Sequence, residues 1–271
     1  MIELLSYKFM QKVLLASVIG GASCGLVGVF VILMGIPFIG VAIAHSAFAG
    51  ALIGLLIGFD PIITAIVFSI ASAFIIGPMS EKLDLDSNIS LGIIFSAVLG
   101  IAFLCMGFIK GSKAEALQFL WGNILTITGS DVLLMLILLI VILLFIILLY
   151  KEILATLFNK ELALISGLPV NFVFYSILLL LGLVVSLNLN TIGGLLSFSL
   201  IINPAAAAYQ LTYKLKNMMI YSALLSIFSS LSGLLCSYYF DAPSGSVIII
   251  VSSIIFVIAL LLSPKRKVKT V

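Results

Sequence analysis

Charged side chains are scarce in this sequence. There are 13 Lys and Arg and 10 Asp and Glu among 271 residues, 8% of the chain, for a net charge of +3. Soluble domains carry about 25% charged residues, so a water-facing surface cannot be assembled from this set. Histidine occurs once, which excludes a multi-histidine metal site. The three cysteines, Cys24, Cys105 and Cys236, lie far apart in apolar segments without metal or redox spacing, and read as small buried filler. The sequence contains no Walker phosphate loop, no HExxH and no GxSxG. Its acidic residues are Glu3, Asp60, Glu81, Asp84, Asp86, Glu115, Asp131, Glu152, Glu161 and Asp241. All fall at expected span ends or in connections, which leaves no buried carboxylate pair for general acid–base chemistry. The chain therefore reads as lacking a catalytic site of its own. Its basic residues also sit near span ends and form no nucleic-acid surface.

What the sequence has instead is apolar length. Hydrophobic residues make up 63%, and mean hydropathy is +1.42. A membrane-crossing helix needs about 20 predominantly apolar residues. Nine candidate spans meet that description: roughly 12–34, 38–58, 61–79, 89–109, 131–150, 172–188, 191–210, 217–240 and 245–263. The stretch from Val13 to Met34 exceeds a typical signal-peptide core and reads as a retained helix. Turn residues punctuate the series at Gly35 and Pro37, Asp60-Pro61, Gly77-Pro78, Gly129-Ser130, and Pro243 with Gly245. The break near residue 190 is weak, so eight spans is the alternative count. The predicted fold is all-α: one polytopic transmembrane helix bundle, a single domain over residues 1–271.

The distribution of Lys and Arg predicts orientation. With the C-terminal tail inside and nine spans, the N-terminus lies outside. The inner set is then Lys82, Lys151, Lys160, Lys214, Lys216 and the tail residues Lys265, Arg266, Lys267 and Lys269. Lys8, Lys12, Lys110 and Lys113 remain outside. The longest inner connection becomes 151–171. Within it, Asn159 can cap a short helix starting near Lys160, and Gly167-Leu168-Pro169 can end it. The longest outer connection, 110–130, holds the single tryptophan, Trp121, and is predicted to lie along the outer surface.

Three features carry chemical interest. His45 lies inside the second span, where an ionisable group is costly and by default functional. It reads either as a metal-path residue or as a hydrogen-bonding partner for a neighbouring helix. Ser46, Gly50, Gly54 and Gly58 recur every four residues on the same span, and Ser17, Gly21 and Gly25 do so on the first. Such stripes allow close helix approach in lipid, so Gly50, Gly54 and Gly58 are predicted packing positions. In the run Asn190 to Tyr209, Gly193-Gly194 loosens the helix, Pro204 removes a backbone donor and Asn203 places an amide at depth. This reads as a broken, pathway-lining helix or as a kinked packing helix.

Four segments, in order, resemble the permease subunits of metal-ion ABC importers, which move zinc, manganese or iron. They are AHSAFAGALIG at 44–54, FLWGNILTIT at 119–128, NKELALISGLPV at 159–170, and IGGLLSFSLIINPAAAAY at 192–209 followed by YYFDAPSGSVIIIV at 238–251. The resemblance implies two permease copies paired with cytoplasmic ATP-binding subunits in a bacterial cell membrane. A separate extracytoplasmic metal-binding protein would supply the ion. The cargo is then a transported divalent metal, with no permanently bound cofactor. Residues 151–171 would be the cytoplasmic coupling loop. Its segment Asn159 to Gly167 would contact the ATPase, with Lys160, Glu161, Leu162 and Ala163 inside that surface. His45 matches the family histidine on the metal path. The family usually carries an aspartate four residues earlier, and here that position is Val41. The remaining ligand candidates are His45, backbone carbonyls and Asn203. An ABC permease for another cargo, such as a metal chelate, and a secondary transporter or channel are the alternatives.

Overall fold

The computed structural model describes residues 8–82, 87–109, 114–122, 127–189 and 192–265. Among these, every regular element is a helix. In chain order they are α1 (Lys8–Leu33), α2 (Ile39–Ile57), α3 (Pro61–Lys82), α4 (Ser87–Phe108), α5 (Ala114–Trp121) and α6 (Gly129–Leu148), then α7 (Tyr150–Phe158), α8 (Lys160–Ile165), α9 (Val170–Leu189), α10 (Gly194–Leu211), α11 (Leu215–Phe240) and α12 (Ser244–Leu261). Seven are long and apolar enough to cross a membrane: α1, α2, α4, α6, α9, α11 and α12. The other two expected spans fall on α3, whose apolar stretch among the fully described residues is Pro61–Ile76, and on α10, which carries Pro204 inside it.

Helix ends follow local chemistry. Asp60 accepts the Ile62 N–H at 2.8 Å ahead of Pro61, a residue suited to a first turn because it lacks a donor. Thr128 and Asp131 form a reciprocal capping box at the start of α6. Gly58 ends α2 at φ +71°, its N–H bonded to the Gly54 carbonyl. A Cβ there would meet nothing within 4 Å. Gly58 is thus a cap and not a member of the packing stripe, because the helix turns left-handed at that residue.

The other stripe residues are in close contact with neighbours. A Cβ on Gly50 would sit 2.7 Å from Phe68 Cβ and 3.0 Å from Ala65 Cα, and one on Gly54 would collide with the Thr64 side chain. These glycines let α2 lie backbone-close to α3. On α1, a Gly25 Cβ would fall 2.7 Å from the Ser222 carbonyl, and a Gly21 Cβ 3.2 Å from the Ile227 backbone. Serine hydroxyls join the same seam: Ser222 donates to Gly25 O at 2.6 Å and Ser230 to Ser17 O at 2.8 Å. With lipid-like interiors on all sides, small residues and short hydroxyl bonds replace hydrophobic burial as the main source of helix–helix attraction. The result is a bundle centred on α1, of which 83% of the apolar window is buried, against 22% for α6 and α12.

Pro204 has no N–H to offer the Leu200 carbonyl, the usual partner four residues back. That carbonyl is taken by the Ser226 hydroxyl of α11 at 3.3 Å, with Ser226 wholly buried. The broken backbone bond of α10 is therefore repaired from a neighbouring helix, the tolerated arrangement for proline at membrane depth.

Candidate functional site

His45 sits where four elements meet. Its ring edge packs on Phe95 of α4 at a centroid distance of 4.9 Å and an interplanar angle of 79°. Beside it is a cavity of about 20 Å³ lined by Val41, Ala44 and His45 of α2, Leu120 of α5, and Gly194 and Phe198 of α10. Val41 and His45 are one turn apart and share a helix face. His45 Nδ1 is buried and has no hydrogen-bond partner. A buried polar atom left unmatched costs roughly 1–3 kcal/mol, so this nitrogen is not serving as a helix-to-helix tether. A neutral imidazole with a free ring nitrogen can bind a divalent ion. The space beside it is about the size of one water molecule, and the surface that lines it is apolar.

Two glycines join the elements that carry Leu120 and Gly194 of that lining. Gly193 precedes α10 at φ +94° and Gly122 follows α5 at φ +79°. A Cβ on Gly193 would lie 2.5 Å from Gly122 N and 2.5 Å from the Trp121 carbonyl carbon. Only glycine permits both the backbone conformation and the contact. The pair sets the end of α5 against the start of α10, with Ala116 and Phe119 turned into the bundle. So α5 packs one face against the helices and leaves Leu117, Gln118 and Trp121 exposed, Trp121 at 53%. Residues 110–113 and 123–126 of that connection lie outside the described residues.

Asn203 is elsewhere. Its Nδ2 lies 3.1 Å from Ser199 Oγ, 3.0 Å from Ser252 Oγ and 3.0 Å from Ser253 Oγ, a polar cluster between α10 and α12. Phe198 and Asn203 are five positions apart, roughly 140° around the helix at 3.6 residues per turn. The structure therefore does not bring Asn203 into the His45 cavity. Among the described residues there is no group of three or more His, Cys, Asp or Glu able to hold a metal ion.

The third region is the connection between α6 and α9. The sequence predicted one short helix there, and the structure has two. Asn159 breaks the chain between them with φ −157° and ψ 108°, and its Oδ1 accepts the Leu162 N–H at 3.0 Å to cap α8. The other end closes with Gly167 at φ +75°, its N–H on Leu164 O, and with Leu168 N–H on Ala163 O at 3.1 Å. α8 is anchored from one side. Ala163 is buried, and Lys160 Nζ lies over the Phe174 ring of α9, 5.2 Å from its centroid. These two of the expected contact residues face the bundle. Asn159, Glu161, Leu162 and Gly167 face away from it. Beside them stand Phe158 at 85% and Ile165 at 83% exposure, with Leu162 and Leu164 also exposed. The sequence reading missed Phe158, Leu164 and Ile165. The amphipathic run YKEILATLF, which buries only Ile153, was the available signal. Large apolar side chains are thus exposed on this connection, beside the exposed Asn159 and Glu161.

Residues 6–263 match the model of the ABC 3 transport family. The manganese transport system membrane protein MntC of Listeria monocytogenes is 36% identical over 263 residues, covering 97% of this chain and 94% of that protein. The manganese import system permease protein ScaB of Streptococcus gordonii is 31% identical over 261 residues, covering 96% of this chain and 94% of the relative. In the solved structure of PsaBC from Streptococcus pneumoniae in complex with Fab, one chain superposes with a TM-score of 0.88 at 32% identity, covering 98% of this chain and 96% of that one. With every described element a helix and the match running along nearly its whole length, the chain belongs to the ABC 3 transport family, as a membrane-spanning permease subunit.

Proposed function

We propose that the chain is the permease of an ABC importer for manganese, working as a pair of copies. A cytoplasmic ATP-binding subunit docks on α8 and an extracytoplasmic metal-binding protein feeds the pathway. The unpartnered Nδ1 of His45, inside a candidate membrane span, carries this reading. The names of the relatives supply the choice of manganese over zinc or iron. Imidazole and backbone oxygens are acceptable ligands for that ion. With Val41 in place of a carboxylate, no charged side chain lines the cavity. The ion is then held weakly, and weak holding is what conduction requires, since an ion bound tightly does not leave.

In this reading ATP binding draws α8 with its Phe158, Leu162, Leu164 and Ile165 patch, and the movement passes to α9 through Ala163 and the Lys160–Phe174 contact. The chain crosses the membrane nine times, with α3 and α10 included, the N-terminus outside and the C-terminus in the cytoplasm. The excess of lysines on the α8 side supports that orientation. In a variant whose three cysteines are replaced, Ile165→Cys is expected to resist a membrane-impermeant thiol reagent on intact cells and to react after lysis.

Manganese uptake by cells that lack their own importer and co-express the three proposed components tests the path. His45→Ala is expected to lower the uptake rate at least about tenfold, the cost of about 1.4 kcal/mol, while the amount of permease in the membrane is unchanged. Uptake at the wild-type rate would return His45 to a packing role against Phe95.

A further inference from the structure

A groove of about 740 Å³ opens between α1, α6 and α11 and shares no lining residue with the His45 cavity. Its floor is Ala22 and Leu26 of α1, and Leu143 and Ile147 of α6 and Leu224 of α11 stand in its walls. The lining is apolar except at one end, where Tyr150 and Lys216 stand. Tyr150 begins α7 and Lys216 lies in the first turn of α11, so the polar end is the membrane face on which α6 passes into α7. Lys216 is exposed, as are Lys151 and Lys214 beside these two residues in the chain.

The dimensions fit half a bilayer. From Lys216 to Leu224 is eight residues of helix, about 12 Å, and from Tyr150 back to Leu139 is eleven, about 16 Å. Half of a hydrocarbon core of about 30 Å is about 15 Å. A transmembrane helix of a partner would need a seat along both leaflets. This groove stops near the midplane, with its positive charge at the headgroup level. An apolar slot one leaflet deep, with a lysine and a tyrosine hydroxyl at its mouth, has the form of a lipid site with an anionic head.

We propose that this groove holds the acyl chains of an anionic glycerophospholipid whose phosphate is seated between Lys216 and Tyr150. The lipid fills the space between α6 and α11 and so sits directly under the α6–α7 junction that leads to α8. The site is independent of the cargo and of His45.

The test uses the full transporter in nanodiscs, with phosphatidylglycerol and phosphatidylethanolamine as probes. Binding is read by native mass spectrometry after release into mild detergent. The place of binding is read by photolabelling from phosphatidylglycerol with a diazirine on its acyl chain. Wild type is expected to prefer phosphatidylglycerol about fivefold, the contribution of one lysine near the headgroups, with label in 139–147 and 219–224. Lys216→Gln, a change at an exposed position, is expected to erase the preference and keep the label. Ala223→Trp, which fills the groove, is expected to remove the label from both segments while a wild-type elution volume and helical circular-dichroism spectrum show that the protein is folded. Equal retention of the two lipids by wild type, a preference that survives Lys216→Gln, or label spread evenly around the bundle would each overturn the proposal. So would cross-linking of a cysteine at Leu143 to another protein or to a second copy of the permease.

Discussion

Replacing Ser226 with alanine isolates the repair of the break at Pro204. The Ser226 hydroxyl supplies a hydrogen bond to the Leu200 carbonyl at 3.3 Å. Interhelical hydrogen bonds in membrane proteins average about 0.6 kcal/mol and reach about 1.7 kcal/mol. The Leu200 site belongs near the upper end. Both residues are fully buried, and Pro204 has no N–H to take over the carbonyl when the hydroxyl is removed. Ser226→Ala is therefore expected to cost about 1.5 kcal/mol. In a Pro204→Ala background the new N–H reaches Leu200 by the ordinary helical bond, and the same serine substitution is expected to cost no more than about 0.5 kcal/mol. The coupling between the two positions is then about 1 kcal/mol, above the few tenths by which independent sites depart from additivity. A double-mutant cycle on equilibrium unfolding of the permease in bicelles or mixed micelles measures it. A coupling energy indistinguishable from zero, with Ser226→Ala equally costly in both backgrounds, would refute the reasoning that Ser226 satisfies a carbonyl freed by proline.

Three further outcomes follow from the same structure. Asn159→Ala removes the cap of α8 and is expected to weaken binding of the ATP-binding subunit about fivefold, from a loss of about 1 kcal/mol, whereas Asn159→Asp keeps the acceptor and restores binding. Titration of the two purified subunits against each other reads the difference. Gly54→Val forces a branched side chain into Thr64 and is expected to destabilise the α2–α3 pair by about 1–3 kcal/mol, while Gly58→Ala introduces only the left-handed penalty of about 1–2 kcal/mol; thermal unfolding in detergent compares them, and a harmless Gly54→Val would remove the close-packing account. Val41→Asp sets a carboxylate on the His45 face and is expected to hold manganese about tenfold more tightly while slowing its release, seen as a lower half-saturation and a lower maximal rate in uptake assays.

The sequence revealed where helices are and left open how they face one another. Long apolar runs showed every large helix, because an apolar stretch of such length has few places to go but a membrane. The same uniform hydrophobicity hid the rotation of each helix. Asn203 looked like a companion for His45, but α10 starts afresh at Gly193 and turns the amide toward the serines of α12. Gly58 continued a four-residue stripe on paper. Its backbone turns left-handed, and it caps the helix. The short helix α8 was legible through Asn159 and Gly167, which are local signals. Phe158, Leu164 and Ile165 were not, since an exposed leucine in a chain this apolar stands out only once its neighbours are placed. The cavity beside His45 could not be read at all. It arises from residues of α2, α5 and α10 brought together by the Gly122–Gly193 contact.

In the proposed mechanism a separate motor drives an ion through this chain past His45. Reconstitution into sealed vesicles with the ATP-binding subunit and the metal-binding protein measures it directly, as manganese accumulated against a gradient. The account predicts accumulation only with hydrolysable ATP and both partners, lost in His45→Ala although ATP is still turned over. Equal accumulation by the permease alone, without nucleotide, would contradict it.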